Sequence, residues 1–154
     1  MASWVTIYLK ESLTTLDIKD IQQGIAPADW LSLGEDFDLE EEEVNSFMEH
    51  LQWKQNPLEI VSEDERPIQI HIWNNSKRIE EEITELDAPI QVQKHLANIK
   101  TIVAIEFGIS QLGTMAEILA FEIAYWLAET KTGLICSPSN RWYDHDQHRW
   151  DPIE

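Results

Sequence analysis

The densest run of metal-type side chains is Asp144-His145-Asp146-Gln147-His148. Carboxylates and imidazoles are suitable ligands, but the spacing matches no familiar site. On a strand Asp144, Asp146 and His148 would share one face, whereas on a loop nothing fixes them. A solvated tail is the expectation, with no metal and no cofactor. His71 alternates with Gln69 and Trp73, and Trp4 alternates with Tyr8, so Trp4, Tyr8, His71 and Trp73 are the candidate lining of a ligand pocket with aromatic walls and a few polar groups. The competing reading has helices covering this face, with His71 hydrogen-bonded. Glu106, between Ile105 and Phe107, is an acid or base of raised pKa, or else it faces solvent or meets a basic partner such as Lys94, Lys100 or Arg66. Cys136 lies in the apolar run Leu134-Ile135-Cys136, which favours a packed thiol over a nucleophile. The chain has no glycine-rich phosphate loop, serine elbow, CxxC or HExxH, and no residue is assigned to catalysis.

Charge is the second chemical signal. Acids outnumber bases 29 to 11, a formal charge of −18. Such a surface repels phosphate backbones and anionic lipid and attracts a basic protein or cations. It also keeps a protein soluble, the plainer use of net charge. Glu40, Glu41, Glu42 and Glu43 form its densest block and are the candidate protein-binding residues. The segment Trp30–Leu51 has helix-turn-helix proportions. A DNA-reading helix needs basic or amide side chains near its start, and here that position holds the four glutamates.

These side chains need elements to hold them. Trp4 to Leu9 alternates as a strand. Thr15 or Asp17 caps a short helix through Ile18, Ile21 and Ile25, and Pro27 opens another that carries Trp30, Leu31 and Leu33. Asp38 and Glu41 have capping-box spacing, and Val44, Phe47, Met48 and Leu51 make one apolar helix face. Leu58–Ser62 and Pro67–Trp73 read as a hairpin across Glu63-Asp64-Glu65-Arg66. Helices follow Asn74-Asn75-Ser76 and Pro89, the second also being compatible with a short strand. Thr101–Phe107 is rich in strand formers. Thr114 and Glu117 then form a capping box for a helix apolar almost all round, with Leu119, Ile123 and Leu127 at its centre. Gly133 closes that helix in a left-handed conformation, a strand follows, and Asn140–Asp144 makes a turn and an edge strand.

This order predicts an α+β fold: an antiparallel-type sheet with a ferredoxin-like (βαββαβ) core and inserted helices, at 27–52 and 76–99, packed on one face. Residues 1–154 form a single domain, with a tail from about 145 to 154. The start Met1-Ala2-Ser3-Trp4 lacks the basic residues and the apolar run of about 7–15 residues of a signal peptide. Met115–Ala128 is shorter than the about 20 residues needed to cross a bilayer. The single cysteine suits a reducing cytoplasm.

The last part of the chain, with Ala120, Ala124, Trp126 and Ala128, then Thr132-Gly133-Leu134-Ile135 and Arg141-Trp142-Tyr143-Asp144, resembles the closing segment of small bacterial α+β proteins of toxin-immunity type. The resemblance implies an acidic immunity protein that caps a basic toxin, and carries over no functional residue. A non-catalytic, cytoplasmic protein-binding module is therefore expected. The alternatives are a small-molecule-binding or enzymatic domain using the Trp4, Tyr8, His71, Trp73 face, and a homo-oligomer with those aromatics at its interface.

Overall fold

The computed structural model describes residues 2–62 and 66–144. The chain is α+β, with seven strands in the described residues: β1 (Ala2–Leu9), β2 (Gln52–Lys54), β3 (Glu59–Val61), β4 (Ile68–Trp73), β5 (Thr101–Gly108), β6 (Gly133–Cys136) and β7 (Trp142–Asp144). They form one antiparallel sheet in the order β2-β3-β4-β5-β1-β6-β7. β5 lies at the centre; β1, beside it, is paired from Ala2 opposite Gly108 to Leu9 opposite Thr101, and on its other edge to β6. β5 and β6 are therefore parallel to each other with β1 between them, and the helix α6 (Met115–Lys131) crosses from one to the other. β1 and β4 stand in the same relation across β5, and the connection between them carries α1 (Ile18–Ile25), α2 (Trp30–Asp36) and α3 (Glu41–Glu49).

Alternation along the strands sorts the side chains onto two faces. Val5, Ile7 and Leu9 of β1, Val103, Ile105 and Phe107 of β5, and Ile68 and Ile70 of β4 meet α6 and α1 in one buried cluster. Leu119, Ile123 and Leu127 of α6 are all completely enclosed there, which is why that helix is apolar round most of its circumference. Val44 of α3 packs with Met115 and Ile118 and brings the α2–α3 pair onto the outer side of α6.

The helices do not all lie on one face, contrary to the sequence expectation. α4 (Ser76–Glu85), α5 (Ile90–His95) and the 3₁₀ turn Leu96–Asn98 cover the opposite face. Ile79, Val92 and Leu96 pack there on Tyr8, Ile102, Leu134 and Trp142. The reason is apolar area: those four side chains belong to the second face of β1, β5, β6 and β7, and leaving them in water forfeits about 1.5–3 kcal/mol for each large apolar side chain.

Local signals are met in part. Asp17 accepts from Lys19 N at 2.8 Å and Asn75 from Lys77 N and Arg78 N, so both act as helix caps. Thr114 caps α6 through Ala116 N, but Glu117 accepts from Gly113 N rather than from Thr114, one residue outside a capping box. Asp38 is not a cap: its φ is 58°, a left-handed turn residue that aspartate tolerates, and Glu40 takes the N-cap position of α3 without a side-chain bond. Gly133 does not close α6 either. Thr132 takes the positive φ of 53°, and Gly133 begins β6. β2 is a strand the alternation did not reveal.

Candidate functional site

The sheet face that carries His71 is half covered. At the α4–α5 end lies Tyr8, buried, its ring 5.2 Å from that of Trp142. Enclosure pushes its hydroxyl far above the usual tyrosine range, with Cys136 and Glu82 adding to the rise. Tyr8 thus belongs to the covered end and not to an open pocket. At the other end Trp4 is 37% exposed; His71 is half-buried between the two ends, and the half-buried Trp73 lies level with Tyr8 across Ile102 and packs on the covered cluster.

Register assembles this open end. Trp4 and Gln69 lie on either side of Glu106, and Thr6 and His71 on either side of Ala104. Ala104 is small, which leaves the His71 imidazole room to lean diagonally toward Glu106, a reach that long side chains manage across neighbouring strands. His71 Nε2 lies 3.1 Å from Glu106 Oε1, and Arg66 Nη2 donates to Glu106 Oε2 at 2.6 Å. Glu106 is therefore a carboxylate held by partners on both oxygens, and of the expected bases it is Arg66 that meets it. Gln69 Nε2 donates to Glu59 Oε1 at 2.9 Å.

The rings form a row. His71 stands 5.6 Å from Trp4 and 6.4 Å, nearly parallel, from Trp73. The Arg78 guanidinium lies 4.5 Å over Trp73 and extends the row onto α4. Arg78 had no signal in the sequence, because its ring contact depends on how α4 docks. The result is a platform of planar groups beside a fixed carboxylate, able to stack a flat or apolar partner. Cys136 is buried on the same face, with its thiol pushed up to about 11 by burial. That suppresses the nucleophilic thiolate.

The acidic surface is built by α2 and α3. Between Ala26 and Gln52 there are nine acids, Asp29, Glu35, Asp36, Asp38, Glu40, Glu41, Glu42, Glu43 and Glu49, and no lysine or arginine. All nine are exposed, and none forms an ion pair with a described residue. Glu41 to Glu43 occupy the first turn of α3, where the positive end of the helix favours carboxylates. A cleft of about 450 Å³ beside this turn is lined by Glu42, Glu43, Phe47 and His50.

Among the described residues no group of three or more His, Cys, Asp or Glu side chains could hold a metal ion. His145 and His148, and the tail around them, lie outside the described residues, as do Glu63, Asp64 and Glu65 of the β3–β4 connection. No helix among the described residues is long and apolar enough to cross a membrane. Comparison of the chain with protein families, with curated proteins and with solved structures finds no match in any of the three.

Proposed function

We propose that this chain is a non-catalytic protein-binding module that docks a basic protein through the α2–α3 pair, in the manner of an acidic immunity protein capping a basic toxin. One observation carries the reading: nine exposed carboxylates on one helical pair with no lysine or arginine among them. No described residue forms an ion pair with these carboxylates, whose self-repulsion destabilises the compact state, and a basic partner would relieve it. Long-range attraction would speed encounter, and the rigid packing of α3 on α6 would fix where the partner lands. The same field disfavours nucleic acid and anionic membranes as partners, and a cytoplasmic setting agrees with the lone buried thiol. We read the four strands β6-β1-β5-β4 as a ferredoxin-like core, supported by their order and by the two helical crossovers, with α2–α3 as its insertion.

The test is association with a basic protein partner captured by cross-linking in the native cell, titrated at about 0.05 M and about 0.5 M salt, where the screening length falls several-fold. Affinity should drop at the higher salt, and replacement of Glu40 to Glu43 by glutamine should weaken binding and flatten the salt response. A partner held equally well at both salts, or by the quadruple variant, refutes electrostatic docking.

A second reading rests on the ring row of the sheet face, which runs from Trp4 and His71 beside Glu106 to Trp73 under α4. There the chain would bind a small flat ligand, and quenching of tryptophan fluorescence lost in Trp4→Ala would support it. The buried Tyr8 would take no part. Subunit pairing through the same aromatics would show as a concentration-dependent mass.

A further inference from the structure

The connection between β5 and α6 has inverted polarity. Its amide side chain is inside, while Ser110 is exposed: Gln111 is 3% exposed. Gln111 Oε1 accepts from Gly108 N at 2.6 Å, and its Nε2 donates to Arg66 O at 3.1 Å. Thr114 Oγ1 donates to Gln111 O, tying the loop to the start of α6. Its apolar residues are outside: Ile109 is 43% and Leu112 42% exposed. A solvated loop normally places its amide in water and tucks its apolar groups away. Here the amide is spent on holding the backbone, and the aliphatic side chains stand in water on a fixed support.

Those two side chains wall a cleft of about 380 Å³, whose other apolar walls include Phe37, Phe121 and Tyr143. Glu117 lines it, and Phe37 is the residue that ends α2, flanked in the chain by the exposed Asp36 and Asp38. Arg141 is the basic residue among the lining. An apolar cavity of this size has room for one or two side chains; Glu117 and Arg141 offset each other within its lining, and Asp36 and Asp38, next to Phe37 in the chain, are exposed acids.

We propose that this cleft is the anchor point of the partner surface: it takes a large aliphatic side chain from a basic protein segment, with lysine or arginine on either side of that residue meeting Asp36, Asp38 and Glu117. The inference rests on the acidic-docking reading and adds to it where specificity resides, since the carboxylates of α3 steer any cation while a walled apolar cleft accepts only a side chain that fits. A second copy of the chain is a poor occupant, because both copies carry the same formal charge of −18.

The probes are two lysine-rich peptides that differ only at the centre, leucine in one and serine in the other, titrated into the full chain with amide resonances followed by NMR. The leucine peptide should bind about tenfold more tightly, which corresponds to about 1.4 kcal/mol, and should shift residues 108–113. Leu112→Ser with Ile109→Ser should erase the difference without changing affinity for the serine peptide. Both side chains are already half in water, so the fold should tolerate the change. Asp36→Asn with Asp38→Asn should weaken both peptides alike. Equal affinity of the two peptides for the unaltered chain, or a leucine preference that survives the double serine variant, overturns the anchor and leaves electrostatic docking standing. Binding of neither peptide overturns both. Self-association lost in the double serine variant would make a second copy the occupant and overturn the basic partner.

Discussion

Gly133 is a position where the packing predicts a large effect from a small change, because one of the atoms in the way is backbone. A Cβ placed on it would stand 2.7 Å from the carbonyl oxygen of Tyr8 and 2.7 Å from Cδ2 of Leu9. Neither neighbour can yield cheaply. Tyr8 O belongs to the strand that pairs with β6, in a register running from Thr6 opposite Cys136 to Leu9 opposite Gly133, and Leu9 is completely enclosed in the main core. Gly133→Ala must therefore move backbone within a ladder or repack a full core, a strain of about 1–3 kcal/mol. Alanine also restricts the unfolded chain, which returns about 0.4–1 kcal/mol, so the net loss should lie between about 0 and 2.6 kcal/mol, and at about 1.3 kcal/mol for the middle of both ranges. Thr132 is the informative companion. It holds φ at 53°, costly for a β-branched residue, and Thr132→Gly should leave stability equal or raise it. Urea unfolding at constant slope reads both, the midpoint moving down for Gly133→Ala and not for Thr132→Gly. A Gly133→Ala protein with an unchanged midpoint would refute the claim that this glycine exists to let β6 approach β1.

Stability should also depend on alkaline pH, and the direction follows from burial. The Cys136 thiol is pushed up to about 11, and the Tyr8 and Tyr125 hydroxyls are raised well above their ordinary range, in each case chiefly by desolvation. A proton held more tightly by the folded state stabilises it fully below the unfolded pKa, about 8.5 for a thiol and about 10 for a phenol. That contribution is lost as pH rises through the folded values, so unfolding free energy should be level near neutrality and fall from about pH 8.5 upward. Cys136→Ala should delay the onset of the fall to the tyrosine range. Iodoacetamide at pH 8 should modify native Cys136 far more slowly than the urea-unfolded chain, and equal rates would refute its enclosure. Duplex DNA should not be retarded at physiological salt, because the α2–α3 pair offers nine carboxylates and no base to the phosphates. Micromolar binding lost on replacing Glu40 to Glu43 by alanine would show the reverse.

What the sequence made legible follows the range of the interactions involved. The alternation of Val5, Ile7 and Leu9, and the nearly charge-free stretch of α6, report burial through the residue's own neighbours, and both stand in the fold as read. Caps are nearly as local, and there the reading slipped by a residue or two: Asp38 became a turn and Glu40 the cap, since several oxygens near a helix start compete for the same donors. The face of the sheet to which His71 belongs was also legible. Its partner was not. That Glu106 sits opposite Gln69 and Trp4, with Ala104 leaving room beside His71, is a statement about register across three strands, and a slip of one residue would turn each side chain to the other face. The boundary between the covered Tyr8 and the open Trp4 lies further still from local pattern, because it depends on where α4 comes to rest. Gln111 makes the same point for the surface. Read alone, Ile109 and Leu112 would pass for core residues and the glutamine for a solvated one. Only the hydrogen bonds to Gly108 and Arg66, the latter far away in the chain, reverse that assignment and turn an ordinary connection into a rigid apolar edge.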